Sequence, residues 1–149
     1  MGIKYPNATH YSKHYSRKEL DCKCGCITPP VIQKHLRITA INAEAHSRKL
    51  GRILVRRGLQ AKKGRAITKV LSGFRCPAHN KAVHGAINSQ HLTGKAIDWD
   101  VPAGQQNHYV LAASRVRAFR RGGIGVYPSG GVHADWRGWK ARWTSFKGQ

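Results

Sequence analysis

Two short stretches, 72–100 and 130–137, hold three of the six acidic residues of a chain that carries 27 lysines and arginines. Asp98, Asp100 and Asp135 share those stretches with His91 and His133. Acids retained among so many bases point to a local task, so a fold open to this chain has to give these two stretches a common place. His91 and Asp98 lie seven residues apart with Gly94 between them. A loop that turns through the glycine brings a following strand, 96–100, back alongside, with Asp98 and Asp100 on one face. His133 and Asp135, two residues apart, share one face of a second strand. Zinc accepts imidazole nitrogen and carboxylate oxygen, and catalytic zinc keeps three protein ligands and one open position. His91, Asp98 and His133 satisfy that requirement, although spacing alone also allows hydrogen-bonded surface histidines.

A chain of 149 residues suits one domain, because two halves would each bury too little apolar surface. The expected layout is a single domain over 1–149, with a basic arm over 1–18 and a tail over 140–149. Hydrophobic residues make up 40% and there are four tryptophans, which excludes a disordered polyelectrolyte. The formal net charge of +21 favours polyanionic partners: nucleic acid, anionic lipid or anionic cell-wall polymer. No helix-turn-helix, zinc-finger or other reading module emerges, so plain DNA binding is the weaker reading. No window approaches the roughly 18 apolar residues of a spanning helix, and the N-terminal stretch lacks a signal-like apolar run. Work outside the cell is therefore expected to need lysis from a host cytoplasm or carriage on a virion.

Along the chain, Ser16 and Glu19 form a capping-box pattern for a short helical turn. Cys22, Cys24 and Cys26 alternate, and Cys76 stands alone further on. Free or disulfide-bonded loop thiols and a metal site are both open to them, and a second metal is not assigned. A long helix is expected from Pro30 to about Arg57, breaking near Gly51, with Val31, Leu36, Ile38, Ile41, Ala45, Leu50 and Leu54 inward. Its outer face carries Arg37, Arg48, Lys49, Arg52, Arg56 and Arg57, read as a solvated basic face rather than a nucleic-acid groove. Strands are expected over 66–71 and 95–101, and a short helix over 78–83. One further helix is expected over 105–119, with Val110, Leu111, Ala113, Val116 and Phe119 inward. A hairpin is expected over 124–136. Trp136, Trp139 and Trp143 read as packing residues rather than a ligand platform.

The segments SGFRCPAHN (72–80), SQHLTGKAID (89–98), GVYP (125–128) and VHAD (132–135) closely resemble the zinc D-alanyl-D-alanine carboxypeptidase and L-alanyl-D-glutamate endopeptidase family. That family shares its fold with the Hedgehog signalling domain. The likeness runs in order over roughly residues 10–143, and the CKCGC stretch resembles a small subgroup that is often phage-encoded. It implies an α+β fold in which a small antiparallel sheet bears a zinc (Zn2+) site and is packed by helices. It further implies that His91, Asp98 and His133 bind the metal. Arg75 would steady a substrate carboxylate or carbonyl and the developing oxyanion, with Ser89 beside it at the substrate. The implied reaction is hydrolysis of peptide bonds in peptidoglycan stem peptides during lysis, entry or wall remodelling.

Several relatives place an acid or histidine two or three residues before the last ligand as the general base, and here Gly130 and Gly131 stand there. Asp135 is the nearest carboxylate, either as that base or as a partner that orients His133. His79 and His84 are weaker alternatives, and Asp100 is read as structural. The glycines keep two other readings open: a catalytically impaired basic module that binds wall polymer or nucleic acid, and a structural component among phage virion proteins.

Overall fold

The computed structural model describes residues 2–144. A capping box closes α1 (Arg17–Leu20): Ser16 Oγ accepts from the Glu19 amide while the Glu19 carboxylate accepts from the Ser16 amide. The dominant helix, α2 (Pro30–Arg56), opens on proline, which suits a first turn that has no use for that N–H. It runs without a break. Gly51 sits inside it because the chain near Gly64 crosses there, and a Cβ would lie 1.9 Å from the Gly64 carbonyl oxygen.

The inner face of α2 differs from the expected one. Leu36, Leu50 and Leu54 are buried as expected, but Val31, Ile38 and Ile41 are exposed and Ala45 is half-buried. The buried row is Ile32, Leu36, Thr39, Ala40, Ala43, His46, Ser47 and Leu50, which keeps the helical period by admitting three polar residues. Each makes a hydrogen bond within the core. Thr39 Oγ1 donates to the Gly94 carbonyl at 2.7 Å, His46 Nε2 lies 3.0 Å from the Tyr109 carbonyl, and Ser47 Oγ meets the Tyr15 hydroxyl at 2.8 Å.

The helix expected over 105–119 is two: α4 (Gln106–Ser114) and α5 (Arg117–Arg120). Val116 between them is extended, with φ −98° and ψ 115°. The chain turns there, Val116 stays buried, and Phe119 reaches the edge of Trp99 with ring centres 6.2 Å apart. Leu111, expected inward, is exposed, and Tyr109 and Ala112 fill that face. The short helix is α3 (Pro77–Ala82).

Five strands make one mixed sheet in the order β1-β2-β4-β3-β5: β1 (Lys69–Ser72), β2 (Ala96–Asp100), β3 (Gly123–Val126), β4 (Val132–Asp135) and β5 (Ala141–Thr144). The first three pairings in that order are antiparallel, and β5 runs parallel to β3. The last strand corrects the reading of 140–149 as a tail; residues 145–149 of that expected tail lie outside the described residues. The architecture is α+β. Ile97, Trp99, Ile124, Val132 and Ala134 point from the sheet into the core shared with α2 and α4. Trp99 stacks on His46 of α2 at 4.1 Å.

Strand alternation sends the remaining residues to the opposite face. Register aligns Ser72, Asp98, His133, Gly125 and Trp143 in one row across all five strands. Trp136, with its Nε1 donating to Thr39 Oγ1 at 2.8 Å, packs against the core, whereas Trp139 is exposed. Among the described residues no helix is long and apolar enough to cross a membrane.

Candidate metal centre

The row across the sheet sets Asp98 of β2 beside His133 of β4. The 3-10 turn Gln90–Thr93 adds His91 from above, closed by Gly94 at φ 75°, the turn the sequence spacing requires. One donor atom from each of His91, Asp98 and His133 lies within 4.8 Å of the others, and all three side chains are buried. Asp98 Oδ2 is 3.0 Å from His91 Nε2, and Asp98 Oδ1 is 2.9 Å from His133 Nδ1.

The far side of each imidazole fixes which nitrogen is bare. His91 Nδ1 lies 2.6 Å from the Gly73 carbonyl. A carbonyl only accepts, so Nδ1 carries the hydrogen and Nε2 presents its lone pair to Asp98. That Nε2 is buried and has no hydrogen bond, because its approach to Asp98 lacks hydrogen-bond geometry. His133 Nε2 lies 2.6 Å from Asp135 Oδ2; a hydrogen on Nε2 leaves the Nδ1 lone pair toward Asp98. Two imidazole lone pairs and a carboxylate converging in a buried place repel one another unless a cation or proton stands between them. The donor set, two nitrogens and one oxygen, suits a divalent transition metal.

The charges follow the same geometry. Burial by itself would raise the Asp98 carboxyl, but the His91 and His133 imidazoles outweigh it and hold the group below the usual carboxylate range. Burial pushes His91 down, with Asp98 opposing. For His133 burial also pushes down, yet its hydrogen bonds to the Asp135 and Asp98 carboxylates carry it above its ordinary value.

Asp135 is fully buried. Its Oδ1 accepts from the Gly123 amide at 2.9 Å and from Arg137 Nε at 2.9 Å, and its Oδ2 accepts from Arg137 Nη2 at 2.7 Å besides meeting His133. The His133 ring stands between Asp135 and Asp98. Burial opposes ionisation of Asp135, and its bonds to His133 and Arg137 overcome that and keep the carboxyl below its usual range. Arg75 is buried with Ser89: its Nη2 donates to Ser89 Oγ at 3.2 Å, and its backbone amide donates to the His91 carbonyl at 3.0 Å. Ser89 Oγ also accepts from the His91 amide at 3.2 Å, capping the turn that carries this histidine.

Three side chains that the fold brings here were not expected at the centre from the sequence. The Tyr127 hydroxyl donates to Asp98 Oδ1 at 3.1 Å; it stands in the GVYP segment, which was the available signal. Arg137 clamps Asp135 and lies 5.0 Å from the Trp143 ring, and Trp143 covers His133 with ring centres 4.8 Å apart. Nothing local in the sequence marks Trp143 for this place, because the parallel pairing of β5 puts it there. His79 and His84, on α3 and the turn after it, make no hydrogen bond to the three converging residues among the described residues. Asp100 is half exposed and pairs with Lys69 at 3.5 Å. Glu19, Asp21 and Glu44, the other acids, are engaged with Ser16, Thr28 and His14 respectively.

A family model described as Peptidase M15 matches residues 13–135, most of the chain and all the residues of the centre except Arg137 and Trp143. No curated protein matches the sequence.

Proposed function

The chain belongs to the peptidase M15 family, a family of metallopeptidases, and from that premise we propose that it hydrolyses peptide bonds in peptidoglycan stem peptides with zinc held by His91, Asp98 and His133. The observation that carries the reading is the buried, unbonded lone pair of His91 Nε2 facing Asp98 beside His133. The whole chain is read as one peptidase domain.

Zinc, when bound, supplies Lewis-acid polarisation of the scissile carbonyl and acidifies a water molecule. The protein's own groups do the rest. Asp135 holds the Nε2 hydrogen of His133 and so keeps Nδ1 free as a donor, and Arg137 in turn fixes Asp135. Gly73 does the same for His91 through its carbonyl. Tyr127 fixes one oxygen of Asp98. Arg75 carries a positive charge beside Asp98; burial lowers its affinity for the proton, but an arginine stays charged, and Ser89 sets its plane. A guanidinium in that position binds a stem-peptide carboxylate or the oxyanion that forms as the carbonyl is attacked. Asp135 is a positioning residue in this scheme, because all its bonds are spent on the far side of the His133 ring.

The test compares zinc content and release of stem-peptide fragments from purified peptidoglycan between the intact protein and His133→Ala. Fragment release that vanishes in the variant together with the zinc of this site supports the proposal. Bound zinc without cleavage across several wall types would assign a wall-binding module instead, and a site that takes no zinc overturns it.

A further inference from the structure

Away from the sheet, the loop between α1 and α2 brings Cys22, Cys24 and Cys26 to Cys76, at the start of α3. The four sulfurs all lie within 4.8 Å of one another. Cys24 Sγ is 3.3 Å from Cys22 Sγ and 3.5 Å from Cys76 Sγ, and none of the four is in a disulfide. We propose that these four thiolates form a second metal centre, a tetrahedral zinc site that is structural and separate from the His91, Asp98 and His133 cluster.

Geometry selects this ligand. Zinc bonded to four thiolates at about 2.3 Å in a tetrahedron sets its sulfurs roughly 3.8 Å apart, which is the scale of the cluster. A disulfide joins two sulfurs at about 2 Å and gives the other pair no reason to converge. An iron–sulfur cluster distributes its cysteines over different irons and spreads them further than a single ion does. The site also has the partners that thiolate ligands need. The Cys76 amide lies 3.4 Å from Cys22 Sγ, and the His79 amide lies 3.4 Å from Cys76 Sγ; both donate to sulfur that carries negative charge. Cys22 is buried, Cys76 half-buried, and Cys24 and Cys26 are exposed, so the last two cover the ion from the solvent side. On binding, each thiol gives its proton to solvent as its sulfur–zinc bond forms, and nothing is oxidised or reduced. The product carries two net negative charges, which a chain of net charge +21 accommodates readily.

The site has a mechanical task. The loop 22–29 has no helix or strand, yet the segment it would be bonded to is 73–76, which supports the first centre. Phe74 donates to the Leu20 carbonyl at 2.7 Å, the Arg75 amide donates to the His91 carbonyl at 3.0 Å, and the Gly73 carbonyl fixes the His91 ring. A metal bonded to Cys22 and Cys76 ties the Cys76 end of that segment to the loop, beside the Phe74 bond to Leu20, and holds Arg75 between them.

The decisive experiment is metal analysis of protein purified with reductant and zinc, for wild type, Cys24→Ser/Cys26→Ser and His133→Ala. Two zinc ions per chain are expected in the wild type and one in each variant. Should the double serine variant fail to fold, cobalt substitution of the wild type supplies the readout: four thiolates give sulfur-to-cobalt charge-transfer absorption, which a nitrogen and oxygen site lacks. Loss of zinc only in the serine variant supports the thiolate site even if the first centre proves empty, so the two readings fail separately. A double serine variant that keeps the full zinc content of the wild type, a cobalt-loaded wild type without a charge-transfer band, or a wild type whose mass is lower by the hydrogens of a disulfide overturns the proposal.

Discussion

His133 lies between Asp98 and Asp135, and its role depends on which nitrogen carries the hydrogen. Replacing Asp135 by Asn removes the carboxylate that fixes the hydrogen on Nε2. Zinc affinity is then expected to fall about 10- to 100-fold, with hydrolysis recovering when zinc is raised to saturation. Activity that stays lost in excess zinc would make Asp135 the proton acceptor instead. Arg75→Ala is expected to leave zinc content unchanged while lowering kcat/KM by about 10²- to 10³-fold, the usual cost of removing one oxyanion donor; Arg75→Lys recovers part of it because the charge survives and the planar fork does not. A third residue, His46, links the core to pH. Burial pushes its pKa from 6.5 down to about 4, against the Tyr109 carbonyl. Between those values the unfolded chain binds the proton and the folded one does not, so stability rises with pH across that window and is lost as pH falls through it. The contribution is on the order of 3 kcal/mol at most, and His46→Gln should flatten the slope of unfolding free energy between pH 4 and 6.5.

At the scale of elements, α2 shows why hydrophobicity along a helix is an incomplete guide to its inner face. Ile41 and Leu50 are both apolar, but Ile41 is 47% exposed and Leu50 is fully buried. Leu50→Ala is expected to cost about 2–5 kcal/mol and Ile41→Ala no more than about 0.5 kcal/mol, measured by denaturant unfolding. The position of α2, the strand β2, the hairpin of β3 and β4 and the turn at Gly94 were legible because their patterns are local: a proline start, alternating apolar residues, a Pro/Gly turn. The inward-facing Thr39, His46 and Ser47 were not, since each is buried only by virtue of a partner distant in sequence. The strand β5 was missed for the same reason. ARWT has no strand pattern strong enough to declare itself, and its place is set by pairing with β3 and by Trp143 covering His133.

At the scale of the whole molecule, charge and topology act separately. A net charge of +21 does not choose the fold, but it sets how the protein meets any polyanion. Hydrolysis of whole peptidoglycan should fall steeply as salt rises from low to physiological strength, whereas hydrolysis of a small uncharged peptide should change little; equal salt dependence for both would remove the charge from the mechanism. The sequence by itself determined the identities of the three converging residues, because the spacing around Gly94 and the ordered SGFR, SQHLTGKAID and VHAD segments are properties of the chain. It also marked the acids of those segments for a local task, since only six stand among 27 bases. Tertiary structure alone decided what each atom of those side chains faces. Register on the sheet turned His133 toward Asp98 on one side and Asp135 on the other, and the loop after α1 carried three cysteines to a fourth that is distant in sequence. Such contacts depend on the path of the chain in space, and residue order specifies that path only through the packing of the complete core.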